Sequence, residues 1–199
     1  QMCIRDRFYT GGMNNFLNST KIIIIAFIAT VIFMATPESA FAIVGGTEAE
    51  AGEQDWMVAL ALADEANGYY AQFCGGTLID AEWVLTAAHC TIDEDGKPFV
   101  ASDLDVIVGR TTLSSNDGQR IAVAEIVVHA NFSLYTYNND IALLRLAKPV
   151  KNAEVLPMAT AKTNATNTAA YGWGLTHDGH SADTLKTAKL PVVANSTCL

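Results

Sequence analysis

The sequence predicts an all-β protein, a barrel or a sandwich, and three observations carry that reading. Apolar runs of strand length recur from Trp56 onward, with turn-forming residues between them. No helical period of useful length accompanies them. There is also no internal repeat, and the only low-complexity tract is an apolar stretch near the N-terminus. With 50% of its 199 residues hydrophobic, the chain has enough apolar material for a real core. The formal net charge of -9 argues against a nucleic-acid partner, which would need clustered Lys and Arg to neutralise phosphates.

Residues 1-12, Cys3 among them, fit no element of an export signal and read as upstream read-through outside the fold. Residues 13-42 read as a signal peptide. Lys21 precedes the apolar run from Ile22 to Ala35, Pro37 breaks it, and Ala40-Phe41-Ala42 supplies the small-x-small pattern of a signal-peptidase site. The run is short for a bilayer span, so a removed signal is expected and no stable membrane anchor after cleavage. An anchored protein is the alternative, and it changes location without changing chemistry. Export makes the product secreted and extracellular, or periplasmic in a bacterium, where disulfides persist. Cys74, Cys90 and Cys198 remain after cleavage, an odd number, and the expected partner of Cys198 lies beyond Leu199.

The strands are expected in order. Trp56 to Leu62 is the first, followed by a polar loop through Asp64, Glu65, Asn67 and Gly68. Tyr70 to Cys74, Trp83 to Thr86 and Leu104 to Val108 come next, and Ser114-Ser115-Asn116-Asp117-Gly118 is a turn. Ile121 to Val128 is the next strand, and in Ile121-Ala122-Val123-Ala124 size alternates though polarity does not, which predicts a strand covered on both faces. Asn138-Asn139-Asp140 leads into the apolar Ile141 to Leu146. Lys148 to Thr168 has the composition of a linker, and Leu185 to Val193 would be a further strand.

Two residue types along this frame carry chemistry. His89 lies beside Cys90, directly after an apolar strand, in Thr86-Ala87-Ala88-His89-Cys90. A histidine titrates near neutrality and so can both take and return a proton. Asp140 stands at the mouth of another strand, where a carboxylate entering a core needs partners. His129, His177 and His180 have no comparable context. His177 and His180, in Thr176-His177-Asp178-Gly179-His180, are read as solvated loop residues and not as a metal site. Asp93, Glu94 and Asp95 are read as a solvated surface turn, and no calcium site is expected. Asn131-Phe132-Ser133, Asn164-Ala165-Thr166 and Asn195-Ser196-Thr197 have N-glycosylation spacing, relevant only in a eukaryotic source.

The histidine motif, Ile43-Val44-Gly45-Gly46, Asn139-Asp140-Ile141-Ala142-Leu143-Leu144 and Gly172-Trp173-Gly174 together resemble the chymotrypsin-like (trypsin family) serine proteases, from Ile43 to Cys198. The resemblance implies two packed antiparallel six-stranded β-barrels. It divides residues 43-199 into a first barrel of about 43-147 and, from about 148-199, a linker and the start of a second barrel that is incomplete in this chain. It makes His89 the general base and Asp140 the residue that orients it, and it implies a Cys74–Cys90 disulfide, two buried free thiols being the alternative. Ile43 would be the activated N-terminus, its amine pairing with a carboxylate beside the nucleophile. Ala42 precedes it where an activating protease would need Lys or Arg, so signal peptidase itself is expected to make that end. The reaction implied is endopeptidase hydrolysis through an acyl-enzyme, with no cofactor and no metal. Its partners would be protein or peptide substrates and protein protease inhibitors, and the protein would be a monomer.

One departure limits this reading. The family's nucleophile sits in Gly-Asp-Ser-Gly-Gly, and no such segment occurs in these 199 residues. Ser102, Ser114, Ser115, Ser133, Ser181 and Ser196 lie in unrelated surroundings. The expectation is a fragment of a secreted serine protease, inactive as it stands, with a catalytically inactive protease-like binding scaffold as the alternative.

Overall fold

The computed structural model describes residues 46–93, 97–152, 154–159, 167–176 and 179–193. The signal segment, the Ile43 end, Glu94 and Asp95, the glycosylation spacings at Asn164 and Asn195, His177 and Cys198 lie outside the described residues. All the elements below belong to one unit, 41–192. Among the described residues no helix is long and apolar enough to cross a membrane.

Nine strands, one α-helical turn and two short 3-10 segments, Ala88–Thr91 and Ala101–Asp103, are described. The strands and the α-helical turn are β1 (Thr47–Glu48), β2 (Met57–Leu62), α1 (Gly68–Ala71), β3 (Gln72–Asp80), β4 (Trp83–Thr86), β5 (Leu104–Val108), β6 (Gln119–Val128), β7 (Ala142–Leu146), β8 (Asn167–Gly172) and β9 (Lys186–Pro191). Six of the strands close into an antiparallel barrel in the order β2-β3-β4-β7-β6-β5, with β5 pairing back onto β2. The remaining three form a second antiparallel sheet, β1-β9-β8, in which Thr47 faces Thr187 and Glu48 faces Lys186. A closed six-stranded barrel beside a second sheet is the all-β architecture that the resemblance implies.

Alternation decides the barrel interior. Val58 and Leu60, Val106 and Val108, Ile121 and Val123, and Leu144 and Leu146 project from alternate positions of four strands into one buried cluster with Leu78, Val84 and Leu104. A second cluster lies outside the barrel wall, where Ala59, Ala61 and Ile107 meet Leu113, Trp173 and Leu185. This second layer explains why β2 is buried at every position from Met57 to Ala61. It also corrects the expectation for β6. Ala122 and Ala124 are exposed while Ile121 and Val123 are buried, so β6 is covered on one face only, and the strand with both faces covered is β2.

Two strand boundaries differ from the expectation for local reasons. Tyr70 belongs to the one-turn helix α1, which Asn67 caps by accepting the Tyr69 N–H at 2.9 Å, and the strand begins only at Gln72. β3 then runs on through Gly75 and Gly76 to Asp80, beyond the expected end at Cys74. A Cβ at Gly76 would lie 2.7 Å from Val84 Cγ1 and 3.1 Å from the Leu85 carbonyl, so the close approach of β4 requires glycine. Gly118 turns the chain into β6 with φ +69. The expected linker is tied to the barrel: the Val150 N–H donates to the Ala81 carbonyl and the Leu156 N–H to the Leu78 carbonyl, both at 2.9 Å.

Candidate active site

Strand register brings the two chemically interesting residues together. β4 pairs antiparallel with β7, and Thr86 lies opposite Ala142. His89 follows Thr86 by one short turn and Asp140 precedes Ala142 by two residues, so both emerge at the same end of the barrel although 51 positions separate them. The turn is a 3-10 segment, Ala88–Thr91, tightened by the Thr91 hydroxyl donating to the Ala88 carbonyl at 2.7 Å. At the end of β4 the Thr86 hydroxyl donates to the Gly75 carbonyl at 2.8 Å, fixing β4 against β3.

Asp140 holds His89 at two points. Its Oδ2 lies 2.7 Å from His89 Nδ1, and its Oδ1 accepts the His89 backbone N–H at 2.8 Å. Burial pushes the Asp140 carboxyl up. The hydrogen bonds from the His89 ring and backbone, the charge interaction with His89 and the Ala88 N–H together outweigh that effect and hold it below the usual carboxylate range. An ionised carboxylate only accepts, so Nδ1 carries the proton and the lone pair is on Nε2. The His89 side chain is 44% exposed and that of Asp140 22%, so the base is open to solvent while its partner is largely covered.

The loop that delivers Asp140 is strained. Tyr137 has φ +53 and Asn139 φ +55, both in the left-handed region. Backbone and side-chain bonds impose this shape. The Tyr137 N–H donates to the Ser133 carbonyl at 2.7 Å, Asn139 Nδ2 to the Asn131 carbonyl at 2.9 Å, and the Ile141 N–H to the Asn139 carbonyl at 2.8 Å. His129 accepts the Asn131 N–H through Nδ1 at 3.1 Å, which gives it a place in the loop and not in the site. The Tyr137 ring stands edge-on to the His89 ring, with centroids 5.8 Å apart and planes at 63°. Sequence reasoning missed Tyr137. No local signal marks it, since the contact depends on the backbone shape of the whole loop.

Cys74, on β3, and Cys90, on the 3-10 turn, are joined by a disulfide with Cα atoms 6.1 Å apart and a sequence separation of 16. The link ties the segment carrying His89 to the barrel wall. His89 Nε2 lies 3.5 Å from Cys90 Sγ. The serine hydroxyls near other turns are engaged locally: Ser114 Oγ donates to Asp183 Oδ2 at 2.6 Å, and the Oγ atoms of Ser115 and Ser133 accept backbone N–H groups of Asp117 and Thr136. His180 is exposed, and its carbonyl accepts from Thr176. Asp93 Oδ1 accepts the Lys97 N–H at 2.8 Å.

A carboxylate-held imidazole with an open Nε2 is equipped to take a proton from a nucleophile and return it to a leaving group. Comparison with known proteins shows the family. The sequence model of the trypsin family matches residues 43–199. Trypsin of Saccharopolyspora erythraea is 38% identical over 160 residues, covering 78% of this chain and 66% of that protein. Chymotrypsin-like elastase family member 1 of Felis catus is 40% identical over 174 residues, covering 81% and 62%, and coagulation factor IX of Cavia porcellus is 34% identical over 172 residues, covering 80% and 56%. The chain thus spans less than two thirds of the length of these curated relatives. Among solved structures, the VesB protease of Vibrio cholerae superposes with a TM-score of 0.67 at 32% identity, covering 77% of this chain and 46% of that one. The chain belongs to the trypsin family of chymotrypsin-like serine proteases.

Proposed function

We propose that this chain carries the base and the orienting acid of a secreted serine-type endopeptidase, which hydrolyses protein or peptide substrates through an acyl-enzyme. The observation that supports this most directly is the double hold of Asp140 on His89, at 2.7 Å to Nδ1 and 2.8 Å to the backbone N–H. In this reading His89 Nε2 takes the proton of a serine hydroxyl as the oxygen attacks the carbonyl carbon, then protonates the departing amine. Asp140 stabilises the imidazolium between the two steps. The serine, the oxyanion donors and the specificity pocket belong to a longer protein, since no Gly-Asp-Ser-Gly-Gly segment occurs in these residues. The 199-residue chain alone is expected to be inactive. The longer enzyme would be exported by the 13-42 signal, begin at Ile43, act as a monomer outside the cytoplasm, and be a target of protein protease inhibitors.

The test is to read the coding sequence past Leu199, express the full frame, and assay it on peptide substrates with a serine-directed phosphonate label. Labelling and peptide hydrolysis, with His89→Ala lowering kcat by roughly 10⁴-fold or more, is the expected result. A frame in which the serine is replaced overturns it in favour of an inactive binding scaffold, and hydrolysis indifferent to His89→Ala overturns the role given to His89.

A further inference from the structure

We infer that reduction of the Cys74–Cys90 disulfide creates a soft-metal site with His89, taking Zn²⁺ or another thiophilic divalent cation at the face of the imidazole that hydrolysis would use. The two sulfurs and a ring nitrogen of His89 lie within 4.8 Å of one another. As the disulfide stands, neither sulfur is a thiolate and the trio holds no ion. Reduction changes the donor set to two thiolates and one imidazole, the combination that zinc favours.

The geometry already approaches that of a bound ion. With Zn–S near 2.3 Å and Zn–N near 2.0 Å, tetrahedral angles separate sulfur from nitrogen by about 3.5 Å and the two sulfurs by about 3.8 Å. Cys90 Sγ and His89 Nε2 stand at 3.5 Å. The two sulfurs must spread, and Cys74 Sγ, which lies no more than 4.8 Å from a ring nitrogen of His89, must settle at about 3.5 Å from Nε2; the 6.1 Å between the Cα atoms leaves room for side-chain rotation to do both. Metal-bound histidines usually donate their other ring N–H to a carboxylate, and Asp140 Oδ2 already accepts from Nδ1 at 2.7 Å. The fourth position falls to water, because the His89 side chain is 44% exposed.

The redox step needs a dithiol reductant. One of its thiolates attacks the sulfur of Cys74, which is only partly covered while Cys90 is 5% exposed. Cys90 leaves as a thiolate and the reductant's second thiol resolves the mixed disulfide. The reductant becomes a cyclic disulfide, and both cysteines are left as thiols. Binding of the cation then releases two protons from these thiols, and the Nε2 lone pair is occupied. The binding rests on geometry alone; only its consequence for hydrolysis rests on the role proposed for His89.

The test uses the whole chain with Cys3→Ser and Cys198→Ser, so that other thiols do not contribute. It is reduced anaerobically with dithiothreitol, desalted and titrated with Co²⁺. The expected result is one cobalt per chain with thiolate charge-transfer bands and intense tetrahedral d–d bands, displaced by Zn²⁺ and absent from unreduced protein. Asp140→Asn should weaken binding by about 10- to 100-fold, and His89→Ala by more. Bands unchanged in His89→Ala overturn the inference, as does their absence. Loss of the near-UV dichroism of the packed core on reduction, not restored by Co²⁺, also overturns it. Each of these outcomes leaves the protease reading standing. That reading is questioned instead if the full-length enzyme, reduced and loaded with zinc, keeps its activity.

Discussion

At the scale of single residues, Asp140 performs two jobs that one substitution can separate from the rest of the fold. Its carboxyl titrates below the ordinary aspartate value because the hydrogen bonds from His89 outweigh burial. A depressed folded value means the stabilisation is complete above the unfolded pKa of about 3.9 and is lost as pH falls from there through the folded value. Urea midpoints measured against pH should therefore drop across that acidic window, and Asp140→Asn should flatten the drop. In the full enzyme the same substitution should lower kcat by roughly 10⁴-fold, because an amide no longer dictates which ring nitrogen carries the proton. Tyr137 offers a second test. Its φ of +53 costs about 1–2 kcal/mol, so Tyr137→Gly should be more stable than Tyr137→Ala by about 1 kcal/mol in denaturant titrations. Both variants lose the ring beside His89, so the difference between them isolates backbone strain.

At the scale of elements, the site depends on how β4 and β7 end. Their antiparallel register places the 3-10 turn of His89 beside the mouth of β7, and the disulfide holds that turn against β3. Replacing Cys74 and Cys90 together by alanine should cost roughly 3 kcal/mol of stability, the value for a loop of about this length. The turn into β6 is equally constrained. A Cβ on Gly118 would overlap the Val108 and Gly109 carbonyls, and its φ is +69. Gly118→Ala should lose more than about 1 kcal/mol, read from its shift in urea midpoint. Arg110 stabilises the same loop from within, with Nε donating to the Asp117 carbonyl at 2.7 Å and a terminal nitrogen to the Leu113 carbonyl at 3.2 Å.

At the scale of the whole molecule, the second sheet is joined to the barrel through an apolar layer on the outer wall. Trp173 is its largest member, 2% exposed, and its indole N–H donates to the Thr111 carbonyl at 3.0 Å. Around it Leu113 and Leu185 are exchanged between the two parts by backbone bonds, Leu113 N–H to the Asp183 carbonyl at 2.9 Å and Leu185 N–H to the Thr111 carbonyl at 2.8 Å. Trp173→Ala should cost about 3–5 kcal/mol, while Trp173→Phe should cost less, losing the indole hydrogen bond but leaving the Thr111 carbonyl its Leu185 N–H. Comparing the two by thermal unfolding separates the packing contribution from the hydrogen bond.

The sequence by itself determined the strands of the barrel and the identity of His89 and Asp140 as a pair worth joining. Strand-length apolar runs report burial directly, and motifs as local as Ala88-His89-Cys90 and Asn139-Asp140-Ile141 keep their meaning without a fold around them. Only the tertiary structure decided which strand is buried on both faces. The covering residues for β2, Trp173 and Leu185, lie more than a hundred positions away, and nothing in the alternation of β6 shows that Ala122 and Ala124 face solvent. It alone decided that Gly75 and Gly76 continue a strand, because the reason is the approach of Val84 from a neighbouring chain segment. The edge of Tyr137 against His89 was hidden for the same reason. It depends on backbone angles that the hydrogen bonds of a whole loop impose, and no single residue announces them.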